Sequence, residues 1–543
     1  MQVPRSLVEC LLWNSLQFPD RRALLDVGPD AHNPAQTWLT WPEIAHTVFL
    51  LTQWLADQQL GPQSLVVSIL PNSTEWIALD LACHASGVIH APIDPRYPEA
   101  LRSSLLDLVQ PNLVVHADTC RLLSVSGRTW PAISSTQLGL EIANQKSTSV
   151  PDSVESLAEF HFGYLTNGAE DKTATILFTS GTTDSPKGVM LSHRNLLSNA
   201  KGKLHAMPQF STDLRINFLP FTHSYARTCE LSTWLVTGGE LILSRRMEKV
   251  VALSQKYSPT LINGVPLFFD ALRTDSACNP NSISIHNYLG GSIRQLASGG
   301  AALTSDTATF FDRAKLPILV GYGLTEASPV VCSNFSTDGR TDNVGPAIPG
   351  VKIRVDSEGE LYVSGSGVMQ GYFGNTTATS NAIIDNELRT GDLAEIDSTR
   401  RVRLLGRIRD TIILSSGVKI APYQVEKSLK SISGIEDAVV VGEGWERCAA
   451  IVVVSSALWN QLLNCQSHQR PEILTHFQRS LDTLPKYANP TAWVIRKLPF
   501  SHNPNLITHK GAPRREMIRL QYESSMRESI RSGIPSLILD ADG

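Results

Sequence analysis

Short β-branched runs alternate with longer amphipathic stretches through most of this chain, and that rhythm constrains the fold more than any other feature. Residues 65–70 (LVVSIL) predict a buried strand, and residues 73–85 then carry Trp76, Leu79 and Leu81 at helical spacing. A second strand follows at 87–93, closed by Asp94-Pro95-Arg96-Tyr97-Pro98; a helix opens at Pro98, and 113–115 gives a third strand. Alternation of this kind implies βαβ units and largely parallel sheets, so the expected class is α/β. The stretch 124–172 is polar and weakly periodic, and is expected to be a surface excursion before the next strand.

The rhythm changes near Gly406-Arg407-Ile408-Arg409-Asp410. Before it, 358–363 and 401–405 read as short strands joined by Gly- and Asp-rich turns. After it, 432–442 and 449–454 read as strands of a compact α+β unit, with an amphipathic helix over 471–484. At about 150 residues per domain, 543 residues allow three or four units, and no internal repeat or low-complexity tract intervenes.

Charge narrows the partners. Lys and Arg number 47 against 51 Asp and Glu, a net charge of −4. That balance gives no electrostatic footprint for nucleic acid. Charged residues make up 18% of the chain and hydrophobic ones 42%, a profile that suits a large core rather than disorder. The eight cysteines are scattered with no CxxC pair, which reads as buried thiols in a reducing cytoplasm rather than disulfides or zinc ligands. Glu9, Asn14 and Ser15 interrupt the apolar start, so it does not read as a signal peptide, and no run is long and apolar enough to span a membrane. The expected location is cytoplasmic.

Three stretches carry chemistry. Thr179-Ser180-Gly181-Thr182-Thr183-Asp184-Ser185-Pro186-Lys187-Gly188 follows the apolar strand 175–178. A loop so rich in small hydroxylated residues can wrap N–H and O–H donors around phosphate oxygens, with Lys187 adding positive charge. It is not a Walker A loop, because Pro186 and Gly188 flank the lysine. Taken alone it could equally be an ordinary turn. Gly321-Tyr322-Gly323-Leu324-Thr325-Glu326 follows the strand 318–320 and offers a ring to stack a base, a hydroxyl for a phosphate and a carboxylate for Mg²⁺. The alternative for Glu326 is a solvated loop carboxylate. Thr390-Gly391-Asp392 offers a carboxylate that could hold a ribose, on a common turn dipeptide.

In this order, and with Gly417 and the Lys510 region, these pieces resemble the acyl-adenylate-forming superfamily of acyl-CoA synthetases, luciferases and adenylation domains. Trp41-Pro42-Glu43 and Phe218-Leu219-Pro220-Phe221-Thr222-His223 bring the chain nearest to fatty acyl-CoA synthetases. The resemblance implies a large N-terminal domain over 1–407, of mixed sheets with helices plus a distorted β-barrel, and a small mobile α+β lid over 408–543. It assigns the phosphate loop to Thr179, Ser180, Gly181, Thr182, Thr183 and Lys187. It assigns Mg²⁺ to Glu326, adenine stacking to Tyr322 beside Gly323, the α-phosphate to Thr325, and the ribose to Asp392 and Arg407. Gly299, Gly300 and Ala301 match the stretch lining the acyl and adenine pockets, His223 a group beside the substrate carboxylate, and Arg409 the hinge. The alternative for His223 is a polar residue satisfied at a helix start. ATP and Mg²⁺ are the implied cofactors, coenzyme A the co-substrate and a medium- or long-chain fatty acid the implied acid. An acyl carrier protein is the alternative acceptor. A fatty substrate also suggests peripheral membrane contact, although no strongly basic amphipathic helix supports it.

The chain departs from the family pattern at its end. Aligned on Gly511, the catalytic lysine of the lid falls on Ala512, and Lys510 is the lysine near enough to replace it. That departure keeps open a catalytically degenerate acyl- or nucleotide-binding protein. Leu289-Gly290-Gly291-Ser292 has the look of a carrier attachment site but lies inside the large domain. No carboxylate stands in 221–227 to grip an amino acid's amine.

Overall fold

A computed structural model describes residues 4–28, 37–120, 129–143, 150–165, 168–179, 186–275, 284–335, 343–464, 470–507, 513–532 and 536–540. Two compact units divide the chain. The first comprises Met1–Arg354, Tyr362–Thr390 and Ile396–Val402, the second Val355–Leu361, Gly391–Glu395 and Arg403–Gly543. The division therefore interleaves through the short-strand region instead of falling at one peptide bond.

The first unit holds two large sheets. In the seven-stranded one, the order is Gly371–Tyr372, Lys187–Ser192, Thr173–Thr179, Ile89–Pro92, Leu65–Ile69, Leu113–His116 and Ala132–Ser134. From Thr173–Thr179 to Ala132–Ser134 every pairing is parallel, as the strand–helix alternation predicts. The crossover helix Thr74–Ser86 starts where Ser73 accepts a hydrogen bond from the Trp76 amide. Lys187–Ser192 instead returns antiparallel to Thr173–Thr179, which makes the phosphate-loop candidate the tip of a hairpin.

The eight-stranded sheet runs Val330–Ser333, Ile318–Gly323, Gln295–Ser298, Leu261–Gly264, Leu214–Asn217, Glu240–Leu243, Arg22–Asp26 and Leu39–Thr40. Side chains alternate across it. Ile216, Ile262, Leu296 and Ile318 share one core with Phe268, Phe269 and Phe311. The alternate positions Arg215, Asn263 and Gln295 belong to the opposite face and are buried as well. Trp41-Pro42-Glu43 opens the helix Trp41–Asp57, where Thr40 and Glu43 form a capping box. Trp41 stacks on Trp234 with ring centroids 4.6 Å apart.

The stretch 124–172 corrects the expectation of a surface excursion. It forms the helices Ser135–Ala143 and Val150–Leu165. Val154, Leu157 and His161 are buried, and the imidazole of His161 lies 2.7 Å from the Ser6 hydroxyl. The buried stripe is half polar, which is why its period was hard to see.

The second unit carries a four-stranded sheet in the order Ile435–Val441, Ala449–Val454, Ala492–Arg496, Ser536–Asp540. The helices Pro422–Lys430, Arg470–Arg479 and Arg515–Ser532 flank it. The expected helix over 471–484 thus ends earlier. Cys10, Cys83, Cys229, Cys332 and Cys448 are free and buried, Cys120 is free and half-buried, and Cys278 and Cys465 lie outside the described residues. Among the described residues no helix is long and apolar enough to cross a membrane.

Candidate active site

The hairpin sets Thr179 directly opposite Lys187, at the mouth of the phosphate-loop candidate. Ser180, Gly181, Thr182 and Thr183 lie outside the described residues. The Lys187 ammonium stands 5.0 Å from the ring centroid of Tyr372, within cation–π range. The Tyr372 hydroxyl donates to Glu326 Oε1 at 2.9 Å. Burial and then the Glu326 carboxylate push the phenol far above its ordinary value, so it keeps its proton at neutral pH. One ring therefore links the loop lysine to the proposed metal carboxylate. Nothing local in the sequence marked Tyr372, because its partners lie 46 and 185 positions away (372 − 326 and 372 − 187).

Glu326 sits on the short turn Thr325–Ala327, at the end of the strand Ile318–Gly323. Gly323 is required there: a Cβ would lie 1.9 Å from the Pro329 carbonyl oxygen. Met369 donates its amide to the Glu326 carbonyl at 2.8 Å, which anchors the turn. The Thr325 hydroxyl lies 3.1 Å from that of Ser224. Tyr322 pairs across the sheet with Cys332 and is half-buried. No group of three or more His, Cys, Asp or Glu side chains among the described residues is arranged to cage a metal. Mg²⁺ does not need one, since it is commonly held by one or two carboxylates with water and substrate phosphates. A half-buried carboxylate linked through the Tyr372 ring to a lysine fits that mode.

His223 opens a continuous helical run formed by Ser224–Ala226, the π-helical turn Arg227–Ser232 and Thr233–Thr237. Its side chain makes no capping bond to that run. It lies near Asp94, a residue the sequence did not single out. Burial pushes the Asp94 carboxyl up, but Arg96, which clasps it at 2.6–2.9 Å, and then His223 hold it low. Tyr225 lies against Gly299, where a Cβ would stand 2.6 Å from the ring. Gly300 and Ala301 follow in the open, Gly300 at φ +83°.

A buried ion pair holds this run in place. Arg227 Nη2 lies 2.8 Å from Asp80 Oδ1, and the guanidinium stands 5.4 Å from the Trp76 ring centroid. His90 Nδ1 meets the same Asp80 oxygen at 2.6 Å, and His90 Nε2 meets Ser68 at 2.8 Å. Burial would push the Asp80 carboxyl up, yet Arg227, His84 and His90 outweigh it and hold it far below the usual range.

In the second unit, Asp392 is buried and its Oδ1 lies 3.0 Å from Arg407 Nε. The two expected ribose partners thus bind each other. Arg409 is exposed on the turn Ile408–Asp410. Lys510 and Ala512 lie outside the described residues.

The AMP-binding enzyme family model matches residues 11–373, two thirds of the chain, and the model of the AMP-binding enzyme C-terminal domain matches 409–531. The chain belongs to the AMP-binding enzyme family. A feruloyl-CoA synthase of an Amycolatopsis species is 28% identical over 463 residues, 80% of this chain and 88% of its own. The long-chain-fatty-acid–CoA ligase FadD15 of Mycobacterium bovis is 27% identical over 469 residues, 77% of each chain. Among solved structures, ATP-bound MatB from Rhodopseudomonas palustris has the same fold, with TM-score 0.76 at 24% identity, covering 96% of this chain and 100% of its own. The activity class is AMP-forming acid–thiol ligation.

Proposed function

We propose that this protein activates a carboxylic acid, of the medium- or long-chain fatty type, with ATP and Mg²⁺ to an acyl-adenylate, and then transfers the acyl group to coenzyme A. In the first step the acid carboxylate attacks the α-phosphorus and pyrophosphate leaves. In the second a thiol attacks the mixed anhydride carbonyl and AMP leaves. Both partners of the first step are anions, so the protein's task is to hold charge in place rather than to supply a nucleophile.

The observation that carries this reading is the Lys187–Tyr372–Glu326 chain, which sets a cation and a carboxylate around one ring beside the hairpin tip. Lys187 and the loop from Thr179 to Thr183 receive the phosphates. Thr325, steadied by Ser224, faces the α-phosphate, and Tyr322 with Gly323 takes the adenine. Gly299, Gly300 and Ala301 border the acyl and adenine pockets, and His223 stands beside the substrate carboxylate. Bound at Glu326, Mg²⁺ would neutralise phosphate oxygens as charge moves onto the leaving pyrophosphate. Asp392 and Arg407 hold the ribose. Residues 408–543 act as a lid that turns about Arg409 between the two steps and brings Lys510 to the first one.

Pyrophosphate release over acids of graded length, with and without coenzyme A, tests the reading. Acid-dependent release and thioester formation are expected, whereas release without thioester would assign the acyl group to a carrier protein or leave it as the adenylate. Lys510→Ala is expected to abolish pyrophosphate release while a preformed acyl-adenylate is still consumed by coenzyme A. Unchanged release in that variant would remove Lys510 from the site.

A further inference from the structure

The helical run after His223 turns a second charged residue toward the large sheet. Glu230 is fully buried, and its Oε1 accepts from Asn263 at 2.6 Å, while its Oε2 has no hydrogen-bond partner among the described residues. Lys203, 2% exposed on the helix His193–Ala206, has no hydrogen-bond partner for its ammonium among the described residues. Arg215 bonds the Glu230 carbonyl, Thr233 and Gln209 through its terminal nitrogens but leaves Nε unmatched. Gln209 Nε2, Gln295 Nε2 and the Tyr225 hydroxyl are also buried without hydrogen-bond partners among the described residues. Buried polar atoms in folded proteins are overwhelmingly paired, so six unmatched atoms in one layer mark a place where something polar belongs. Burial pulls both charges toward neutrality: Glu230 rises to about 7 despite Arg215, the Asn263 bond and Lys203, and Lys203 falls to about 8, with Arg215 and Arg294 adding to the fall.

The unmatched set is lopsided. Five donor groups face one free acceptor, Glu230 Oε2. The layer therefore calls for oxygen acceptors rather than for methylene groups, whose burial there would leave every donor unpaired. Its place is equally specific. Tyr225, which borders Gly299, is one turn before Cys229 and Glu230. Seven residues separate His223 from Glu230, roughly 10 Å at the rise of a helix.

We propose that the acid this enzyme activates carries a second oxygen group, a carbonyl or carboxylate at its far end, and that Lys203 with Gln295 and Glu230 receives that group. The proposal rests on the acid-activating reading above and names the substrate class of the same site.

The test compares acids of one length, octanoate, 7-oxooctanoate and octanedioate, by pyrophosphate release at saturating ATP. The oxygenated acids are expected to exceed octanoate at least tenfold in kcat/KM. Lys203→Met, which keeps the length and removes the charge, is expected to bring that ratio close to one, and Lys203→Arg to retain most of it. A ratio between two acids on one protein does not move with general loss of fold, and unfolding midpoints of both variants check the fold directly. Octanoate preferred by the wild type, or a ratio unchanged in Lys203→Met, would overturn the proposal and leave ordered water as the occupant of the layer. If no acid releases pyrophosphate, the activity reading fails instead. Calorimetric binding of the same three acids then still decides the subsite.

Discussion

Two buried charged groups on one helical run face opposite ways and live in opposite conditions. Arg227 looks toward the helix Thr74–Ser86, where the Asp80 carboxylate meets it at 2.8 Å and is closed off further by His90. Glu230 looks toward the strand Leu261–Gly264, where Asn263 takes one oxygen and nothing described takes the other. Burial is complete in both places. Burial therefore does not distinguish the two places, but the partner does: Arg227 meets a carboxylate, although its Nε and Nη1 are unmatched among the described residues, whereas the carboxylate of Glu230 meets the amide of Asn263.

The largest expected effect sharpens that contrast. Asp80→Asn strands the Arg227 charge in the interior and should cost about 3–5 kcal/mol in urea unfolding, whereas Lys203→Met removes a charge that has no hydrogen-bond partner among the described residues and should cost under about 1 kcal/mol or stabilise. Equal losses in the two variants would erase the distinction.

The next effect is one of sign. Glu230 is raised from 4.5 to about 7 by burial, so its contribution is complete below about 4.5 and is lost as pH climbs through about 7. Two buried histidines run the other way. Burial lowers His84 to about 3 and His161 to about 4, so their contribution is present above about 6.5 and is lost as pH falls toward those values. Glu230→Gln keeps the side chain neutral throughout, and should gain on the wild type by on the order of 3 kcal/mol between pH 4.5 and 7. Unfolding curves at pH 5 and pH 8 measure this, and parallel shifts of the two proteins would contradict it.

A smaller effect concerns a carboxylate between these extremes. Tyr372 engages one oxygen of Glu326, so Tyr372→Phe should retain the ring beneath Lys187 and lose about 1.5 kcal/mol of charge-assisted bonding. The Mg²⁺ concentration for half-maximal ATP binding, followed by calorimetry, is expected to rise roughly tenfold with little change in unfolding midpoint. An unchanged Mg²⁺ requirement would mean that the bond does not orient Glu326.

What the sequence disclosed and what it hid divide along the same line. The strands at 65–70 and 449–454 were legible because a fully buried strand writes itself as a continuous apolar run, and the observed strands are Leu65–Ile69 and Ala449–Val454. The turn at Thr325–Ala327 was legible because a local pattern carried it. The helix Val150–Leu165 was missed although Val154, Leu157 and His161 keep helical spacing, because a buried histidine does not read as apolar. Tyr372, Asp94 and the Lys203–Glu230 layer were invisible for a different reason. Each gains its meaning from partners distant in the chain, and no local period encodes such a meeting.

The π-helical turn Arg227–Ser232 has a further consequence. In a regular α-helix, residues three apart are neighbours on one face, so Arg227 and Glu230 would sit within reach of each other and neutralise one another. The widened turn acts as insulation between them. It prevents a short circuit inside a single helix, and so leaves one charge to moor the backbone while the other stays available to a ligand.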